Sequence, residues 1–134
     1  MLHTILIVDD EPDILNLLRL SLEMAGYRTC VALNADQALA SLDKEPPDLV
    51  LCDIVMPGRD GYAVLAAIRN NPATRRLPVL IISARGRPQD IEQALKAGAN
   101  GYIVKPFSRR QLLSEIRRCL EPASNLVVPE GILA

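Results

Sequence analysis

Short apolar runs in this chain stop at residues able to carry chemistry. Ile5-Leu6-Ile7-Val8 stops at Asp9-Asp10, Leu49-Val50-Leu51-Cys52 at Asp53, and Tyr102-Ile103-Val104 at Lys105. A further run, Val79-Leu80-Ile81-Ile82, stops at the hydroxyl of Ser83. If these runs are parallel strands of one sheet, their carboxyl ends share an edge, and open α/β sheets bind ligands beyond that edge. Three carboxylates, one ammonium and one hydroxyl then converge on a shallow cleft. Carboxylates that close repel one another, and at least one pKa rises unless a cation neutralises them. A hard divalent cation suits this best: Mg²⁺ takes oxygen ligands in near-octahedral geometry and keeps several waters. A carboxylate beside it can act as a nucleophile toward phosphorus and form an aspartyl phosphate. The cation and Lys105 would balance the charge on the phosphoryl oxygens, and Ser83 would donate a hydrogen bond to one of them.

The elements between these runs have helical spacing. Pro12 suits a first helical turn, Ile14, Leu17, Leu18 and Leu22 form a helical stripe, and Gly26 supplies a stop. Tyr27 to Leu33 reads as a strand. Asn34 with Gln37 reads as the N-cap of a short helix whose stripe is Ala38, Leu39 and Leu42. Pro46-Pro47 breaks the pattern, and Met56-Pro57-Gly58 is a loop. Asp60 caps a third helix carrying Val64, Leu65 and Ile68. A fourth starts near Pro88, carries Ile91, Ala94 and Leu95, and stops at Gly98. Ser108 with Gln111 reads as a capping box for a last helix through Leu112, Leu113, Ile116 and Leu120. The strands are near-continuous Val/Ile/Leu runs, as in strands buried on both faces. That predicts an α/β fold, a doubly wound five-stranded parallel sheet with five helices on two faces.

The chain has 134 residues, the length of one domain and enough for a core without staples. Lys+Arg 15 against Asp+Glu 16 leaves −1, so no basic excess draws it to nucleic acid or an anionic membrane. With 49% hydrophobic and 23% charged residues it reads as a folded globule, not a disordered chain. No apolar run has a membrane helix's length, and no signal-peptide pattern opens the chain. Cys30, Cys52 and Cys119 show neither a disulfide framework nor zinc spacing, which predicts buried reduced thiols and a cytoplasmic location. Residues 122–134 fall outside the five units and read as a packed tail or a linker remnant.

Taken together, Ile7-Val8-Asp9-Asp10-Glu11-Pro12, Asp53 within Cys52-Asp53-Ile54-Val55-Met56-Pro57-Gly58, the pair Ser83-Ala84, and Gly101-Tyr102-Ile103-Val104-Lys105-Pro106-Phe107 resemble the receiver domain of two-component response regulators. The chain is similar to the single-domain chemotaxis type, and the likeness spans about residues 3–120. It implies a receiver domain over 1–121 and the flavodoxin-like strand order 2-1-3-4-5. It implies that Asp53 accepts a phosphoryl group from a partner histidine kinase or histidine phosphotransfer protein. Asp10, Asp53 and the backbone carbonyl of Val55 would hold Mg²⁺, or Mn²⁺ in its place, with Asp9 acting mainly through water. Lys105 would pair with the phosphoryl group. Ser83 would move toward it and Tyr102 would swing into the space vacated. The Lys105-Pro106 peptide would be cis. Val55 and Arg85 would flank the path of the hydrolytic water and so tune the phosphoryl lifetime. A downstream protein partner would read the fourth helix, fifth strand and fifth helix, including Arg87, Lys96 and Arg109.

Other readings compete. A flavin or nucleotide domain needs a Gly- or Ser/Thr-rich phosphate loop after the first strand, where this chain has Asp9-Asp10-Glu11. A phosphorylation-independent interaction module, a receiver fragment of a larger regulator, and an Asp-nucleophile hydrolase lacking an evident base or pocket are the others. His3 carries no assigned role. Arg75-Arg76, Arg109-Arg110 and Arg117-Arg118 read as solvated faces, with partner docking as the alternative. Ala99-Asn100-Gly101 lacks the acidic residues that DNA-binding members use across a dimer. The expectation is therefore a monomer or weak dimer without direct nucleic-acid or membrane contact.

Overall fold

In a computed structural model, residues 2–56, 58 and 60–121 are described; residues 122–134 and the Pro57 of the expected loop lie outside them. Five strands, β1 (Thr4–Val8), β2 (Arg28–Ala32), β3 (Leu49–Asp53), β4 (Val79–Ser83) and β5 (Gly101–Val104), alternate with five helices. These are α1 (Pro12–Met24), α2 (Ala35–Lys44), α3 (Gly61–Asn70), α4 (Pro88–Lys96) and α5 (Arg109–Leu120). All strand pairs are parallel and the order is β2-β1-β3-β4-β5. Two cores flank the sheet. One lies under α2, α3 and α4 and includes Val50, Leu65 and Ala94; the other lies under α1 and α5 and includes Ile7, Leu22 and Ile116. Among the described residues, no helix is long and apolar enough to cross a membrane.

The expected caps form. Asn34 Oδ1 accepts from Gln37 N at 2.8 Å, while Gln37 Oε1 accepts from Leu33 N. Asp60 Oδ1 accepts from Ala63 N at 3.2 Å. Ser108 and Gln111 complete a reciprocal box, each side chain accepting the other's backbone N–H at 3.0 Å. Such pairs satisfy donors that the first helical turn leaves open. Gly26 and Gly98 follow their helices in the left-handed region, with φ 96° and 110°.

Several burial expectations need correction. The buried stripe of α1 is Leu15, Leu18 and Leu22, and Leu17 is 62% exposed. Nearly every turn of α1 offers leucines, so two stripes meet the helical period and contact with the sheet selects between them. Leu95 of α4 is exposed too, leaving Ala94 as the apolar residue that α4 buries. The edge strand β2 is not buried on both faces, since Arg28 and Val31 are exposed. Val104 is partly open on the other edge. Only Cys52 of the three thiols is buried; Cys30 and Cys119 are half-buried.

At the opposite edge of the sheet from the strand carboxyl ends, Arg69 at the end of α3 joins three segments. Its guanidinium donates to the carbonyls of Arg75, Leu77 and Gly98 and to Asn100 Oδ1, at 2.7–3.1 Å. Partial burial lowers its pKa. Asn100 Oδ1 also accepts from Val79 N at 2.8 Å, and Arg118 of α5 donates to the Asn100 carbonyl at 3.0 Å.

Candidate functional site

The parallel register brings the strand ends together. Val8 of β1 lies beside Cys52 of β3, so Asp9 follows where Asp53 ends β3. Asp53 is paired in register with Ile82 of β4, one residue before Ser83, and Ser83 is paired with Val104, one residue before Lys105.

A repeated local motif orients these side chains. Asp9 Oδ1 accepts from Glu11 N at 2.9 Å, Asp53 Oδ1 from Val55 N at 3.1 Å, and Ser83 Oγ from Arg85 N at 3.1 Å. In each case the residue closing an apolar run captures the N–H two positions on, the side-chain turn that Asp and Ser favour. One oxygen of each carboxylate is thereby tethered. The other turns toward Lys105, whose Nζ lies 3.2 Å from Asp53 Oδ2 and 3.6 Å from Asp9 Oδ2.

Asp9, Asp10 and Asp53 each place a carboxylate oxygen within 4.8 Å of the others. Asp9 is fully buried and Asp53 nearly so, whereas Asp10 is half-buried. Burial raises the pKa of Asp9. The Glu11 N–H and the Lys105 charge oppose this, and the neighbouring carboxylates reinforce it. Partial burial acts to lower Lys105, but Asp53 and Asp9 outweigh it, so the ammonium is held above the ordinary lysine value. Asp9 Oδ2 is a buried oxygen with no hydrogen-bond partner. Such an atom costs free energy unless something else meets it. The residues fit a divalent cation: three hard oxygen donors converge, one of them has an ion-pair neighbour but no hydrogen bond, and a single ammonium leaves negative charge in excess.

Ser83 and Tyr102 form a second group. Ser83 is fully buried, and no hydrogen bond joins it to Asp53. Tyr102 Oη donates to the Arg85 carbonyl at 2.6 Å. The backbone of Arg85 is thus held on its N–H by Ser83 and on its carbonyl by Tyr102. The Lys105-Pro106 peptide is cis. Val55 is 50% exposed beside Asp53. Arg87, the N-cap of α4, pairs with Asp90 of its first turn, and Lys96 pairs with Glu92 within the helix. Cys52 donates to the Asp53 carbonyl at 3.3 Å, and burial holds its thiol well above the ordinary range.

Sequence reasoning missed two contributors. Gly61 opens α3, donates its N–H to the Ile54 carbonyl at 2.9 Å, and lies against the backbone of Asp53. No local pattern marks that approach. The Arg69–Asn100 network joins residues distant in the chain, and only the fold brings them together.

The model of the response regulator receiver domain matches residues 5–117. The phosphate regulon transcriptional regulatory protein PhoB of Pseudomonas aeruginosa is 38% identical over 117 residues, covering 87% of this chain and 51% of that protein. The chain therefore spans about half the length of the PhoB proteins it matches. A putative response regulator from Chloroflexus aurantiacus superposes with a TM-score of 0.86 at 37% identity, covering 90% of this chain and 98% of that one. The chemotaxis response regulator CheY4 of Vibrio cholerae gives 0.85 at 29% identity, covering 90% and 100%. Parallel strands in this order, an acidic cluster facing a lysine, and a family match over most of the chain agree: this protein belongs to the response regulator receiver domain family of two-component signalling.

Proposed function

We propose that this chain is a phosphorylation-controlled switch whose phosphoacceptor is Asp53. The observation carrying this reading is the placement of Asp53 Oδ2 at 3.2 Å from Lys105 Nζ, within a cluster that includes Asp9 and Asp10. An oxygen of Asp53 attacks the phosphorus of a phosphohistidine on a partner kinase or phosphotransfer protein. The new O–P bond gives an aspartyl phosphate as the N–P bond breaks and its electron pair returns to the imidazole. Lys105 holds a positive charge where the phosphoryl oxygens arrive. Asp9, Asp10, Asp53 and the Val55 carbonyl are the groups that would hold Mg²⁺, or Mn²⁺ in its place. Either ion would supply further charge neutralisation to those oxygens.

The output runs through the second group. Ser83 Oγ turns from Arg85 N–H toward the phosphoryl group, and Tyr102 follows as the Arg85 backbone is released. This biases a two-state element comprising α4, β5 and α5, which a downstream protein reads. The receiver unit extends over residues 1–121, acts in the cytoplasm and contacts no nucleic acid or membrane itself. It is a monomer or weak dimer before phosphorylation. Arg118 supports this, being engaged within the chain by Glu115 and the Asn100 carbonyl.

The decisive test is intact mass after incubation with Mg²⁺ and acetyl phosphate. The wild type gains one phosphoryl group, the metal-free sample gains none, and Asp53→Asn gains none. Uptake by Asp53→Asn would move the acceptor elsewhere. No uptake by the folded wild type from two different donors would favour a phosphorylation-independent module. Val55 and Arg85 restrict the water that ends the signal. Arg85→Ala is expected to shorten the phosphoryl lifetime about tenfold, equivalent to about 1.4 kcal/mol of barrier. The decay of the phosphorylated mass measures this, and an unchanged decay removes Arg85 from that role.

A further inference from the structure

The two ends of α4 are held in different ways. At its amino end the segment leading into the helix is tied by the Ser83 Oγ and Tyr102 Oη bonds to Arg85. Asp90, one of the two side chains that α4 buries, bonds Arg87 of its own cap and so gives no tie to the sheet. At the carboxyl end, Arg69 uses every N–H of its guanidinium. Nε and Nη2 reach the Gly98 carbonyl at 3.0 and 2.8 Å, Nη2 also reaches Asn100 Oδ1, and Nη1 holds the carbonyls of Leu77 and Arg75. Asn100 is gripped by Val79 on both its side-chain oxygen and its N–H, and by Arg118 on its carbonyl. Gly98 has φ +110°, and a Cβ there would come within 3.0 Å of Arg69 Nε.

We infer that Arg69 is the positioning residue that makes the turn after α4 a fixed pivot, so that the switch swings the amino end of the helix about its carboxyl end. This rests on the phosphorylation reading above and specifies how its signal is shaped. The ties at the amino end are the very groups that the phosphoryl group rearranges. The ties at the other end involve none of them. A nine-residue helix is about 13 Å long. A swing pivoted at one end therefore displaces Arg87 and Pro88 much more than Lys96. A guanidinium is needed because its planar fork serves several fixed carbonyls at once, whereas a lysine ammonium carries three donors on a flexible stem.

Backbone amide exchange in the full chain tests this, with Mg²⁺ and acetyl phosphate added or withheld and uptake followed by mass. In the wild type, phosphorylation should change exchange at residues 85–91 and leave Gly98, Ala99 and Asn100 as they were. Arg69→Lys should take up phosphoryl at the wild-type rate. It should speed exchange at 98–100 at least about tenfold before phosphorylation, since three ammonium donors cannot replace five guanidinium hydrogen bonds, and spread the response to both ends of α4. If Arg69→Lys does not fold, Asn100→Ala removes the shared acceptor and should give the same pattern. Equal responses at both ends of wild-type α4, or a folded variant with unchanged exchange at 98–100, overturn the pivot while leaving the phosphoacceptor intact. Absence of uptake by the wild type overturns the reading beneath it, and the pivot with it.

Discussion

Lys105→Met is expected to destabilise the metal-free protein by about 3 kcal/mol at neutral pH. Removing one partner of a buried ion pair costs about 3–5 kcal/mol, and Lys105 belongs near the lower end because its side chain keeps 23% exposure. The loss arises less from the missing attraction than from Asp9 and Asp53, left close together and buried with no positive charge between them. The pH dependence has a definite sign. Burial raises the folded-state pKa of Asp9, so its charged form opposes folding at neutral pH. That cost fades as pH falls through the raised value toward the ordinary carboxylate range. The folded-state pKa of Lys105 is raised as well, so its stabilisation is complete below the ordinary lysine value and lost only in strong alkali. The variant should therefore differ most from wild type near pH 7 and least near pH 4. Saturating Mg²⁺ should narrow the difference: without its ammonium the acidic cluster attracts the cation more strongly, and of two proteins at one ion concentration the tighter binder gains more folded-state stability. Urea unfolding at both pH values, with chelator and with magnesium, measures all of this. A constant difference across pH would mean that Lys105 acts through packing.

Gly61→Ala carries the second large effect, and two principles give it opposite signs. Helix propensity favours alanine over glycine by about 1 kcal/mol. Sterics oppose it: a Cβ at Gly61 would meet the carbonyl oxygen of Asp53 and lie 2.8 Å from the Ile54 Cα. Both neighbours are backbone, so neither can rotate away. Overpacking of this kind costs about 1–3 kcal/mol, occasionally more, which outweighs propensity. The strain falls on the backbone of Asp53, the proposed phosphoacceptor. A displacement of about 1 Å at a reacting group can lower a rate about 100-fold. The variant should unfold at lower urea and take up phosphoryl from acetyl phosphate far more slowly than its stability alone explains. Equal stability and uptake would mean that β3 and α3 separate freely, contrary to the close approach.

The strands and caps were legible because their signals are local. A Val/Ile/Leu run ending at Asp53, or Ser108 with Gln111 three residues on, can be read without knowing what lies opposite. The acidic cluster was legible for a related reason: once the strands are parallel, their ends must share an edge. Burial on α1 was not, because Leu17 and Leu18 both satisfy the helical period and only contact with the sheet distinguishes them. The same holds for Leu95 and Val31, each apolar and each facing outward. The Arg69 network is illegible for a different reason. Its acceptors are mostly backbone carbonyls, which every residue possesses, so no residue type announces them.

The order in which the site's parts leave the ribosome follows from the strand sequence. Chains emerge amino end first, so β1 and β3 can pair while β5 is still being made. An early assembly of the first three strands would gather Asp9, Asp10 and Asp53 at one end with no ammonium among them. Repulsion thus penalises the half-made sheet at the point where hydrophobic pairing favours it. The arrival of Lys105 on the last strand lifts that penalty. Completing the edge and neutralising the site become one event, and a truncated chain ending before β5 should gain structure in acid that it lacks at neutral pH.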